Sequence, residues 1–449
     1  MTKDLTEGRP SKLIFNFALP VLGGYLFQQF YNLADTAIVG KCLSVYDLAA
    51  VGSTGPVCFL IIGLCMGLTS GFAIPVAQSF GAKDYSKMRK FVFNAIILSI
   101  IFSILYAALT VILCKPLLRL MMTPADIIDH ATDYVIIIFA GIPVGFTYNL
   151  ASGILRSLGD SKTPLYFLLF SSALNIILDL ICILVLHIGV QGAAIATVIS
   201  QGISAVLCLI FIKKRFPILH FSKEEKQFSW ELSKELLGMG IPMGLQYSIT
   251  GIGSVILQSS VNTLGSHAVA SMTAGLKIHM FFCAPLDAFG TTMATYSGQN
   301  VGARKIERLK SGLRDSSLMA LVYCAFAFVV LFFFGDDLSL LFLDEKQTAI
   351  IKDAHQFLIS NSSFYFTLAL VNIVRFMIQG MGFSNLAVMS GIFEMIARSF
   401  FGFCLVPRFG FIAATFASPS AWVLADIFLI SAFIYCYKKL AKRFSPADK

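Results

Sequence analysis

The run SALNIILDLICILVLHIG at residues 172–189 is apolar enough to cross a lipid bilayer, yet it carries Asn175 and Asp179 near its middle. An amide and a carboxylate four residues apart share one face of a helix. A charge at mid-membrane costs about 2.5–3.5 kcal/mol on insertion scales, which makes it a candidate for function before packing. Two more oxygen-bearing residues reach a similar depth. Asp35 lies six residues before Lys41, about 9 Å below that membrane face if helical. Asp179 lies eight residues before His187 and Thr197 eight after Gly189, each about 12 Å deep by the same rise. Three separate helices therefore offer carboxylate, amide and hydroxyl oxygens at one level, the donor set of a cation site. Two carboxylates in a dry pocket cannot both ionise cheaply. The pair is expected to titrate as a unit, accepting a proton or a sodium ion. The plainer reading of such residues, an interhelical hydrogen bond, suits a lone Asn better than an ionisable pair.

What must position these groups is a bundle of membrane helices. The chain has 57% hydrophobic and 13% charged residues and a mean hydropathy of +0.79, against roughly 45–50% and about 25% in soluble domains. A hydrocarbon core needs roughly 20 apolar residues per helix. Twelve such runs fall near 12–39, 48–79, 90–113, 128–156, 164–186, 190–212, 233–261, 268–299, 314–334, 350–379, 386–406 and 410–437. The expected fold is an all-α integral membrane protein, with twelve transmembrane helices in two pseudo-symmetric six-helix lobes around a central cleft. Pro20, Pro143 and Pro242 sit inside spans, where a missing N–H favours bending. The polar start MTKDLTEGRPSK does not read as a cleaved signal. The ten cysteines lie singly, most within apolar runs, and read as small hydrophobes rather than metal or disulfide pairs.

Orientation follows from the basic residues. With the N-terminus in the cytoplasm, 24 of the 34 Lys and Arg fall in cytoplasmic joints and tails, which is the positive-inside pattern. That bias accounts for the net charge of +9 through anionic lipid, with no need of nucleic acid. The chain also repeats itself: SFGAKDYSKMRK answers NVGARKIERLKS about 221 residues later, ALPVLGG answers GIPMGLQ, and GVQGAAIAT answers GFIAATFAS. Six spans return to the starting side, so the halves are parallel repeats. The expected division is an N-lobe at 1–215 holding the cation site, a cytoplasmic linker at 216–230, and a C-lobe at 231–449.

Two tempting motifs carry little. LGDSKT lacks the upstream glycine spacing and the preceding strand of a phosphate loop. The six His are scattered, so no metal or catalytic cluster forms. An enzyme would need such a cluster, and none is expected; without a nucleotide site, driving energy must come from an ion gradient. A passive channel fits poorly with repeats around a titratable pocket.

NLADTAIVG, RSLGDSKTPLYF, NIILD, GVQGAAIAT and GQNVGAR together resemble motifs of the multidrug and toxic compound extrusion (MATE) family, over nearly the whole chain. The resemblance implies secondary active efflux of lipophilic, often cationic, drug-like compounds against H⁺ or Na⁺, with no other cofactor. It places the cation site on Asp35, Asn175, Asp179 and Thr197, a helix hinge at Pro20, and an N-lobe substrate cavity at Gln28, Tyr31 and Asn149. Some relatives, the NorM-type branch, carry acidic ligands in spans 7 and 10. Here those regions read GLQYSITGIG and FTLALVNIVRFM without an acid, which leans toward the DinF-type arrangement. At the repeat positions of Asn175 and Asp179 stand Glu394 and Arg398, read as a structural ion pair. Lys277 and Asp287 are further charges expected to be buried. The alternative function is a lipid-linked saccharide flippase of the same broad superfamily, whose members usually have fourteen spans and a cationic cavity. The expected setting is a multi-pass monomer in a bacterial inner membrane, both termini cytoplasmic, meeting lipid and small molecules but no nucleic acid.

Overall fold

Long apolar runs with their polar breaks become long helices. The computed structural model describes residues 3–121, 123, 127–343 and 345–444, with all side chains there except those of residues 36, 45, 46 and 48. Among them all regular structure is helical. The helices are α1 (Pro10–Cys42), α2 (Val45–Gly81), α3 (Tyr85–Leu120), α4 (Ile128–Ala140), α5 (Ile142–Ser157), α6 (Lys162–Leu180), α7 (Val190–Arg215) and α8 (Trp230–Asn262). The second half follows with α9 (Ser266–Gly302), α10 (Glu307–Ser339), α11 (Thr348–Ser362), α12 (Tyr365–Gly380), α13 (Ser384–Phe400), the single turn α14 (Val406–Phe409) and α15 (Phe411–Arg443). Among the described residues, nine spans are long and apolar enough to cross a membrane by themselves. Two more are broken pairs, α4 with α5 bent by 45° and α11 with α12 by 49°. The twelfth, α8, is more polar but runs 33 residues, about 50 Å of helix.

Local chemistry explains the breaks. Ser44 and Asp47 form a reciprocal capping box at the start of α2, satisfying two end amides. In the LGDSKT run, the buried Asp160 carboxylate accepts the amides of Lys162 and Thr163 and the Thr163 hydroxyl. The motif is a helix cap. Repetition extends to the backbone: left-handed turns recur at Lys83 and Arg304, at Gly159 and Gly382, and at Gly189 and Gly410.

The described chain packs as two units. One contains Gly23–Ser248, the other Leu5–Leu22 with residues from Ile249 onward, and each has its own apolar core. The division falls inside α1 and α8, not in the 216–230 segment marked by its polarity. Packing explains the difference. Gly67 and Gly71 of α2 meet Gly244 and Gly240 of α8 so closely that a β-carbon would overlap backbone, and Leu236 is buried in the first core. Small residues four apart on both faces are what lets membrane helices approach this near. Ile14 and Phe17, from the start of α1, are buried in the second core. Pro20 lies two residues before the point where α1 passes from one unit to the other.

Candidate cation site

In the first unit α1, α6 and α7 bring together the four residues singled out by depth. Asn175 and Asp179 stack one turn apart on α6, 1% and 0% exposed. The Asn175 amide donates to the Thr197 hydroxyl of α7 at 3.3 Å, and the Tyr31 hydroxyl of α1 lies 3.1 Å from the same oxygen. Asp35 and Asp179 interact directly across the gap between α1 and α6. Neither ionised carboxylate has a hydrogen to donate, so the contact becomes a hydrogen bond only when one carries a proton. Just beyond Asp179 the helix widens into a π turn, Ile181–Val185, a distortion common at functional sites.

The electrostatic state is set by what these oxygens lack. Asp35 Oδ1, Asn175 Oδ1 and both Asp179 oxygens are buried without a donor. Four bare acceptors in a low-dielectric pocket are costly, and positive charge answers all of them. Two carboxylates, an amide and a hydroxyl suit a proton or an alkali cation. Among the described residues no group of three or more His, Cys, Asp and Glu is placed to hold a metal ion.

The other expected residues lie at different places. Pro20 belongs to the second unit and is not part of the pocket. Gln28 is half-buried on α1. Asn149 is half-buried on α5 and donates to the Gly145 carbonyl of its own helix at 2.9 Å. Tyr31, expected in the substrate cavity, is half-buried on α1 with its hydroxyl beside that of Thr197. Tyr134 of α4 was missed: it stands within electrostatic reach of Asp35, Tyr31 and Asp179. Nothing in its surrounding DHATDYVIII run marks it, because its position comes from packing on the cluster of Val39, Ile183 and Ala193.

The corresponding place in the second unit is built differently. Glu394 does pair with Arg398, at 3.4 Å, but its shorter bond is to Arg375 of α12, at 2.7 Å. The expected pair is therefore a triad. Asp287 accepts from the Asn372 amide at 2.9 Å. Lys277, expected to be buried, is exposed, with its ammonium 5.4 Å from the centre of the Phe342 ring, a cation–π contact. A second π turn, Phe401–Leu405, follows Arg398. Asp426, buried on α15, was also overlooked, although an acid inside the apolar VLADIFLI run carries the same signal as Asp179.

Comparison with known proteins adds an independent line. The chain matches the family described as MatE over residues 20–181 and again over 242–404. It is 31% identical to the probable multidrug resistance protein YpnP of Bacillus subtilis over 342 residues, 76% of either chain. It is 26% identical to a protein named FAD transporter from Shewanella oneidensis, over 75% of each. Its fold is similar to a solved outward-facing multidrug resistance MATE family transporter of the MOP superfamily, with TM-score 0.90, 25% identity and 98% of both chains covered.

Proposed function

The chain belongs to the MatE family of multi-pass membrane transporters, and from that premise we propose that it is a secondary active exporter, antiporting lipophilic or cationic organic compounds against H⁺ or Na⁺. It is a transporter and not an enzyme. The observation that carries the coupling is the set of donor-less buried oxygens on Asp35, Asn175 and Asp179. In their ionised state the two carboxylates repel one another across α1 and α6. A cation between them cancels the repulsion and draws the helices together. Because α1 contains Pro20, whose ring removes a backbone hydrogen bond, its movement near Asp35 can be absorbed as a bend. That bend would change the shape of the cavity beside Gln28 and Asn149 and release the substrate. Twenty-four of 34 basic residues on one side support cytoplasmic termini in a bacterial inner membrane.

The test is transport in proteoliposomes under separately imposed pH and Na⁺ gradients, with ethidium and, separately, FAD as probes. Asp35→Asn and Asp179→Asn are each expected to abolish gradient-driven ethidium movement while leaving the purified protein monodisperse. Undiminished coupled efflux in both variants would remove the site. Transport of FAD with no movement of ethidium would keep the site and overturn the drug-like substrate.

A further inference from the structure

The second unit encloses five charged side chains on four helices: Arg375, Glu394, Arg398 and Asp426 are buried and Asp287 is half-buried. Three carboxylates face two guanidiniums, so the group carries one negative charge too many. The hydrogen bonds locate the excess. Both oxygens of Glu394 are taken by Arg375 and Arg398, and Asp287 Oδ1 is held by Asn372. Asp426 is 7% exposed, and neither of its oxygens has a donor. It lies within electrostatic reach of Arg375 and Glu394, yet Arg375 bonds Glu394, Arg398 bonds Glu394, the Thr250 carbonyl and the Ser254 hydroxyl, and Nε of each is left without an acceptor. A bare carboxylate in a membrane interior is costly, and the smallest species that removes the cost is a proton.

We propose that Asp426 is a second proton-carrying group, loaded and unloaded within the C-terminal unit independently of Asp35 and Asp179. It uses α12, α13 and α15, not the α1, α6 and α7 of the first site, and it does not depend on the coupling role assigned there. The triad is what keeps the proton on Asp426: the two guanidiniums spend their hydrogen bonds on Glu394, Thr250 and Ser254 and donate none to it. The surrounding titratable groups are few. From α13 come Glu394 and Arg398, and from α12 Arg375. The ionisable groups of α11 are engaged elsewhere, Asp353 with His267 and His355 with Asp336, apart from the exposed Lys352. Arg408 of α14 is exposed. On α15 itself the nearest charge is Lys438, twelve residues on, about 18 Å along the helix. From α9, His279 stacks on Trp422 with ring centroids 6.0 Å apart.

Trp422 supplies the readout, since it precedes Asp426 by one helical turn and the chain has only one other tryptophan, Trp230. Full-length protein carrying Trp230→Phe, in detergent micelles, is titrated with acid while Trp422 emission is followed. A one-proton transition is expected. It should vanish in Asp426→Asn and persist in Asp35→Asn/Asp179→Asn and in His279→Gln. No transition in the starting protein, persistence in Asp426→Asn, or loss with His279→Gln would overturn the proposal. If Asp426→Asn does not fold, Asp426→Glu replaces it: a displaced midpoint supports the assignment and an unchanged one refutes it.

Discussion

Replacing Arg89 by Ala should free the segment that joins the two repeats. Arg89, at the start of α3, grips Glu225 through two bonds of 2.7 Å and reaches the Ile218 carbonyl at 3.2 Å. Glu225, 4% exposed, also accepts the Ser222 amide at 2.9 Å. The bidentate bond to Arg89 holds the Glu225 carboxyl down to about 2, from an ordinary 4.5. A depressed carboxyl contributes its stabilisation in full above the ordinary value and loses it as pH falls through about 2. At neutral pH the clamp is therefore at full strength. Its worth lies between an exposed pair, about 1 kcal/mol or less, and a fully buried one, about 3–5 kcal/mol. The Arg89 side chain is 21% exposed, so solvent screens part of the attraction and about 2 kcal/mol is the reasonable figure. That corresponds to roughly a 30-fold shift in the local opening equilibrium. Hydrogen exchange of the full-length protein in detergent reads it directly. The amides of residues 216–229 should exchange about 30-fold faster in Arg89→Ala, while those of α9 and α12 stay unchanged. Exchange in that segment within about threefold of the parent would refute the clamp.

Four further outcomes follow from the packing and the sites. Gly71→Val should lower the melting temperature in detergent sharply, because its side chain meets Gly240 backbone, whereas Gly55→Ala, with nothing within 4 Å, should be neutral or slightly stabilising. Arg375→Met should destabilise more than Arg398→Met in the same thermal assay, since it removes the 2.7 Å bond and leaves Glu394 the 3.4 Å one; equal effects would contradict the triad. Tyr31→Phe removes one hydroxyl contact to Thr197 and should weaken gradient-driven transport about fivefold, the worth of one hydrogen bond, with expression unchanged. Arg308→Ala releases the Gly8 carbonyl and leaves Asn300 alone on that of Leu5, so amides of residues 5–9 should exchange at least about tenfold faster.

The first unit's cluster of buried polar groups was legible because burying an ionisable group in lipid is expensive enough to stand out from a string of apolar letters. Asn175 and Asp179 announced themselves by type and spacing, and Asp35 and Thr197 by depth along their helices. The same rule applied to α15 would have reached Asp426. Tyr134 carries no such signal: a tyrosine in a span is ordinary until packing brings it within electrostatic reach of two carboxylates. Likewise Arg398 looked like the natural partner of Glu394 from four residues away, while the shorter bond comes from Arg375, nineteen residues back and on another helix. Lys277 stood in an apolar run but on its exposed side, a matter of rotation about the helix that composition does not record.

By itself, then, the order of residues determined that this chain lives in a membrane, that it is helical throughout its spans, that it is built twice, and which acids are worth burying. Those properties are local or additive: hydropathy summed over a turn, one missing N–H at a proline, a charge set against lipid. Tertiary structure alone decided which guanidinium meets which carboxylate, which buried oxygens are left bare, and where α1 and α8 change allegiance from one core to the other. Those outcomes depend on distances between residues far apart in sequence, down to whether two glycines let backbones touch, and only the packed chain sets such distances.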